Sequence, residues 1–275
     1  MGNLNKLIFG DVDSGEYGVF ISGEGVFNSP RRRGESVPIP GRNGSLFFDE
    51  GAFENITVIY PAFVATGGQQ EFREKMRALR SALGNTGGYH RLQDTYHPDE
   101  FRMGIFQAGV ETEPTRYNTS GRFDIEFDCK PQRFLVSGEQ SYMFTDDGFL
   151  ENPTPFESLP IIKVAGTGSV AIGPYQFTVT GNGKVITIDS EIMEAFVPGG
   201  EPFPLTEEND EELLTELNII IEVTGGTSGY HYPQSRNTNV SFLNSLVPKI
   251  PPGTVRIGMT SGIQGLEIIP RWWVL

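Results

Sequence analysis

Short apolar runs, cut apart by glycine and proline and broken by one stretch of helical period, leave this chain few options other than a β fold. The 34 glycines and 19 prolines are spread along the sequence as punctuation, a spacing that suits many short strands and many turns. The 20 phenylalanines and 9 tyrosines fit pleated, half-buried surfaces. Strand-like segments fall into two groups. The first is Tyr17–Ile21, Ile56–Val64, Phe101–Ala108 and Arg122–Asp128. The second is Ile161–Val164, Val170–Ile172, Tyr175–Thr180, Lys184–Asp189, Leu217–Val223, Thr254–Met259 and Leu266–Ile269. Asn182-Gly183 predicts a two-residue hairpin loop between two of these, and the even spacing of the second group suggests a jelly-roll sandwich.

The one helix is predicted over Gln69–Leu83. Phe72, Met76, Leu79 and Leu83 fall on one stripe of a 3.6-residue period. Glu71 and Glu74 lie early and Arg77 and Arg80 later, as the helix dipole favours, and Gly84 is expected to stop it. Residues 24–44 contain Pro30, Pro38, Pro40 and Arg31-Arg32-Arg33. Proline removes ladder donors, so this stretch is expected to be an extended arm more than a strand pair. A break in pattern after Cys129-Lys130-Pro131 places a domain boundary near residue 137, giving domains 1–137 and 138–275.

The net charge of −14 argues against a nucleic-acid surface, which needs a basic patch. Seven of the 35 acidic residues lie between Glu201 and Glu216 with no basic residue among them, the pattern of a solvated excursion. A single cysteine, Cys129, forms no intrachain disulfide, and no run reaches the roughly 20 apolar residues of a membrane span. His90, His97 and His231 lack a second His or Cys at ligand spacing, so no metal site or cofactor is expected. Asp11-Val-Asp13-Ser-Gly15 is similar to the start of a calcium loop, but the third ligand and the glycine are out of place. Gly166-x-Gly168-x-x-Ala171 runs into Ile172-Gly-Pro174 and cannot begin a dinucleotide helix; a tight turn between strands is expected. Asp124, Glu126 and Asp128 share one face of a strand, where paired carboxylates could serve a glycosidase, but any half-exposed strand alternates in this way. Tyr230-His231-Tyr232 comes after a Gly/Thr/Ser-rich turn and is a candidate carbohydrate contact. Trp272 and Trp273 are adjacent, so a strand would turn one inward and one outward.

A resemblance spans nearly the whole chain. Val37-Pro-Ile-Pro40-Gly41-Arg42-Asn43-Gly44-Ser-Leu46 and then Gly51-Ala-Phe53-Glu54-Asn55-Ile56-Thr57-Val58 resemble the N-terminal signature of the distal tail protein (Dit) family of long non-contractile-tailed phages and prophages. The helix, the Phe127-Asp-Cys129-Lys-Pro131 exit, Asn152-Pro-Thr-Pro155, Pro160-Ile-Ile-Lys-Val164, Ile186-Thr-Ile-Asp189-Ser190-Glu191, Pro251-Pro-Gly253 and Pro270-Arg271-Trp272 are similar to later segments of that family. The stretch from about 194 to 239 looks longer than the family's loop there.

The resemblance implies a mainly β protein without enzymatic activity. Its N-terminal β-sandwich-like domain would close into a homo-hexameric ring, and its C-terminal domain would be a galectin-like jelly roll. Arg31, Arg32, Arg33, Pro38, Pro40, Gly41, Arg42 and Gly44 would belong to a belt that clasps the next subunit. The implied partners are the tail tube protein, the tail-associated tip protein and a receptor-binding protein. The protein would be made in the host cytoplasm and reside at the virion tail tip. A carbohydrate-binding tail module contacting the host surface is the alternative.

Overall fold

A computed structural model of the chain describes residues 4–23, 27–115, 119–197, 240–243 and 247–275. The chain divides into two compact units, Met1–Ser137 with Trp273–Leu275, and Gly138–Trp272.

The first unit contains β1 (Leu7–Phe9), β2 (Val12–Asp13), β3 (Val19–Ile21), β4 (Arg32–Pro38), β5 (Ser45–Phe53), β6 (Ile56–Ala65), α1 (Gln69–Asn85), β7 (His90–Asp94), β8 (Glu100–Ile105), β9 (Glu113–Thr115) and β10 (Ser120–Leu135). Its main sheet runs β2-β1-β7-β8-β10-β6-β3, with β9 also on β10. The long strand β10 organises it. Phe123, Ile125, Phe127 and Cys129 point into the core while Arg122, Asp124 and Glu126 face solvent, the period-2 alternation of a strand with one wet face. Helix α1 adds Phe72, Met76, Leu79 and Leu83 to that core. Phe127 sits at its centre, with ring centroids 4.8 Å from Phe9 and 5.8 Å from Phe106.

The helix does not stop at Gly84. It continues to Asn85, and Thr86 closes it, its hydroxyl donating to Ala82 O at 2.8 Å and its N–H to Leu83 O at 3.3 Å. A side chain that satisfies the last carbonyls removes the need for a left-handed glycine.

The second unit contains β11 (Tyr142–Phe144), β12 (Gly148–Asn152), β13 (Ile161–Ile172), β14 (Tyr175–Asp189), β15 (Glu194–Phe196), β16 (Val240–Phe242), β17 (Gly253–Met259) and β18 (Ile263–Ile269). Two long strands build it. The first half of β13 pairs with β18 and its second half with β17. Strand β14 likewise pairs with β16 near its start and β15 at its end. One curled antiparallel sheet therefore makes two layers around Ile162, Val164, Val170, Ile172, Phe177, Val179, Ile186, Ile188, Ile257, Leu266 and Ile268.

Glycines form the corner. Gly166 has φ 109, and an added Cβ there would collide with the Gly262 carbonyl oxygen. The Gly166-x-Gly168 pattern is thus a bend inside one strand, not a turn between two. Asn182-Gly183 also lies within a strand. It belongs to a bulge where the register between β13 and β14 shifts past Ala165. The hairpin loop is instead Gly173-Pro174, with Ile172 opposite Tyr175 and Gly173 at φ 55. Glycine with positive φ at the first loop position is what a tight hairpin requires.

The last strand, β19 (Trp273–Val274), belongs to the first unit and pairs with β10. Trp272 is buried and Trp273 is half-buried.

Candidate functional site

Strands β4 and β5 form a separate two-stranded sheet. Residues 24–44 are therefore not a lone extended arm: their described part supplies one strand and the turn of a hairpin, and residues 45–53 supply the other strand. The prolines permit this because of where they stand. Pro38 is the last residue of β4, opposite Ser45, and an edge strand loses little by lacking a donor at its end. Pro40 and Gly41 occupy the centre of a turn closed by Arg42 N donating to Ile39 O at 3.2 Å, with Gly41 at φ 76. Proline before a positive-φ glycine is the signature of a type II turn. Gly44, at φ 85, completes the tip.

Every residue from Arg31 to Gly51 is exposed. Across the ladder, Val37 faces Leu46 and Glu35 faces Phe48, while Ser36 faces Phe47 and Pro38 faces Ser45. Opposed residues share a face and neighbours alternate. One face therefore presents Val37, Leu46 and Phe48, at 36%, 49% and 56% exposure. On the other, the Phe47 ring lies against Gly34, leaving no room for a Cβ. A thin ribbon with apolar side chains on both faces has no core of its own, and two strands alone are marginal in water.

The basic residues are partly engaged inside the hairpin. Arg32 Nε donates to Asp49 Oδ2 at 2.6 Å, and Asp49 Oδ1 accepts from Gly51 N at 2.8 Å. Arg32 also lies over the Phe53 ring, 5.4 Å from its centroid. The Arg32 hydrogen bond, then the Gly51 N–H, holds the Asp49 carboxyl below its ordinary range. Arg33 Nε is 3.9 Å from Glu50 Oε2. Arg31 and Arg42 have no ion pair among the described residues.

The hairpin is tied to its unit at both legs. Glu54 N donates to Arg31 O at 2.9 Å, closing the base. On the first leg, Phe27 meets His97 edge to face at 4.9 Å, and Arg102 Nη2 donates to Asn28 O at 3.1 Å. On the second, Asn55 Nδ2 donates to Tyr89 OH at 2.8 Å and to Asp128 Oδ2 at 3.2 Å. Sequence reasoning assigned no individual role to Leu46, Phe47, Phe48, Asn55 and Arg102. The first three carry a legible signal, an apolar run flanked by turn residues and by Asp49-Glu50.

Other candidates take structural places. His90 Nε2 donates to Gly87 O at 2.7 Å, and His97 Nδ1 is 3.3 Å from Asp94 Oδ1. Asp13 caps a 3-10 turn by accepting from Gly15 N at 2.8 Å. Asp124 and Glu126 lie on the wet face of β10. Among the described residues no group of three or more His, Cys, Asp or Glu is placed to hold a metal, and no helix is long and apolar enough to cross a membrane. Tyr230, His231, Tyr232, the acidic run from Glu201 to Glu216 and the expected strand Leu217–Val223 lie outside the described residues.

No protein-family model matches the sequence, and no curated protein matches it. A solved structure does. The crystal structure of the SPP1 Dit protein (gp 19.1), a hub of the adsorption apparatus in phages infecting Gram-positive bacteria, superposes with a TM-score of 0.64 at 11% identity, over 99% of this chain and 100% of that one. The chain has the Dit fold. The baseplate of phage P2 in its activated conformation with calcium aligns less well, with a TM-score of 0.49 at 8% identity, over 98% of this chain and 97% of that one. Full-length coverage of the SPP1 Dit protein means that both units, in their order, take part in the likeness.

Proposed function

We propose that this chain is a structural hub of a phage tail tip, and that it closes into a homo-hexameric ring through the Arg32–Phe53 hairpin. The observation that carries this reading is the hairpin itself: an exposed ribbon whose Val37, Leu46, Phe47 and Phe48 side chains stay about one-third to one-half exposed among the described residues. Apolar surface of this kind is stabilised by a partner. A patch on one copy that docks on a different patch of the next is a head-to-tail contact, and such contacts close into rings when the rotation allows. The Dit fold, shared over the full length with a phage adsorption hub, supports the same assignment. Arg31 and Arg42 stand ready to pair with acidic groups of the neighbour.

On this reading the ring's other partners are the tail tube protein, the tip protein and a receptor-binding protein, and the protein resides at the virion tail tip. No catalytic step is assigned to it. The test is deletion of the whole hairpin, Arg32 to Phe53, with a short glycine bridge between Arg31 and Glu54, the two residues that close its base. The expected product keeps the far-UV spectrum and cooperative melting of the parent but forms no rings. A shortened protein that assembles as the parent does would remove the hairpin from the interface.

A further inference from the structure

An arm that must meet a neighbour has to leave its own domain in a defined direction, and the root of this hairpin contains an unusual buried charge. Arg102 on β8 is 4% exposed. Among the described residues no carboxylate touches its guanidinium; the nearby Glu100 instead binds Arg133 at 3.1 Å. Arg102 directs its donors at two backbone carbonyls, Pro131 O at 3.3 Å and Asn28 O at 3.1 Å. Burial lowers its pKa to about 10, which leaves it charged at neutral pH. A buried charge that no carboxylate touches is costly, and two neutral acceptors offset only part of that cost.

The two carbonyls explain the arrangement. The register between β10 and β8 shifts between Cys129 and Arg133, so the bulge around Pro131 frees a carbonyl from the ladder. Asn28 belongs to the first leg of the hairpin, just after Phe27, whose ring meets His97. The forked guanidinium spans from the bulge in the main sheet to the root of the arm, a reach that a planar multi-donor head is suited to. We propose that Arg102 is the positioning residue of the hairpin: anchored to the β10 bulge, it holds Asn28 and so sets the direction in which the hairpin leaves the sheet. Asn55 performs the lesser, exposed half of the task on the second leg. The consequence for assembly rests on the hub reading; the consequence for the isolated chain does not.

The test places spin labels on full-length protein at Asn43→Cys, in the hairpin tip, and Arg77→Cys, on the exposed face of α1. Cys129 is fully buried and takes no label. The parent is expected to give one narrow distance distribution. Arg102→Met is expected to broaden it about two-fold or more and to speed amide exchange at Glu54 about ten-fold. Asn55→Ala is expected to broaden it less. A broad distribution in the parent overturns the proposal. So does an unchanged width in Arg102→Met, including the case where that variant merely melts at lower temperature, since this would make Arg102 a core residue only. Should Arg102→Met fail to fold, Arg102→Lys, whose single ammonium cannot span both carbonyls, is judged by the same criterion. A variant with a broadened distribution that still forms normal rings would keep the positioning role and refute the hairpin's place in the interface.

Discussion

Replacing Leu46 and Phe48 together with threonine separates assembly from folding. Both side chains lie on the apolar face of the hairpin, at 49% and 56% exposure, so their loss costs the isolated chain little; substitutions at such surface positions fall within about 0.5 kcal/mol. Threonine keeps the strand propensity. The interface should lose far more. A phenylalanine side chain offers about 200 Å², and covering its exposed half at about 25 cal/mol per Å² contributes about 2–3 kcal/mol. Leucine, half exposed, adds about 1 kcal/mol. With incomplete cover and the residual threonine methyls, the double variant should forfeit about 2–3 kcal/mol per subunit contact, or about 30- to 150-fold in association. Sedimentation velocity across a concentration series would read the shift, with thermal melting as the control. An unchanged association midpoint beside an unchanged melting temperature would refute the claim that this face is covered by a neighbour.

Three further outcomes are expected from the fold. Gly166→Ala should destabilise the second unit by about 3 kcal/mol, from φ 109 and the collision with the Gly262 carbonyl oxygen, measured by denaturant unfolding. Asn152→Ala should cost about 3 kcal/mol by the same measurement. Its buried amide donates to Phe156 O and Ile250 O at 2.9 and 3.0 Å and accepts from Thr154 N at 2.9 Å, bonds that an alanine leaves unmade. The third concerns pH. The Asp49 carboxyl is held below its ordinary range in the folded hairpin, so its contribution is fully present above the unfolded carboxylate value of about 4 and is lost as pH falls through the folded value. Amide shifts of Gly51 should titrate below that ordinary value and move back towards it in Arg32→Gln.

Much of the architecture is legible in the sequence, for physical reasons. The stripe Phe72, Met76, Leu79 and Leu83 can be read because helical period and burial are the same fact seen twice. The alternation from Arg122 to Cys129 is equally plain. Errors arise where local chemistry competes with tertiary context. Asn182-Gly183 is a strong local loop signal, yet the chain turns at Gly173-Pro174 and uses the dipeptide in a bulge. The proline-rich stretch suggests an extended arm more than a strand pair, because a proline inside a strand and one at its end look alike until the register is known. Arg31, Arg32, Arg33 and Arg42 stand out by charge, whereas two of the four are paired with Asp49 and Glu50 of the same hairpin. Arg102 gives no signal at all. Its acceptors belong to residues 28 and 131, separations that no periodicity encodes.

The central claim is that this chain is a ring-forming hub, and solution mass measures it most directly. Multi-angle light scattering across a concentration series, with negative-stain images of the largest species, should give a complex of six 30.3 kDa chains, about 180 kDa, seen as six-fold rings. A monomer at every concentration, both alone and when mixed with its tail tube protein, would contradict it.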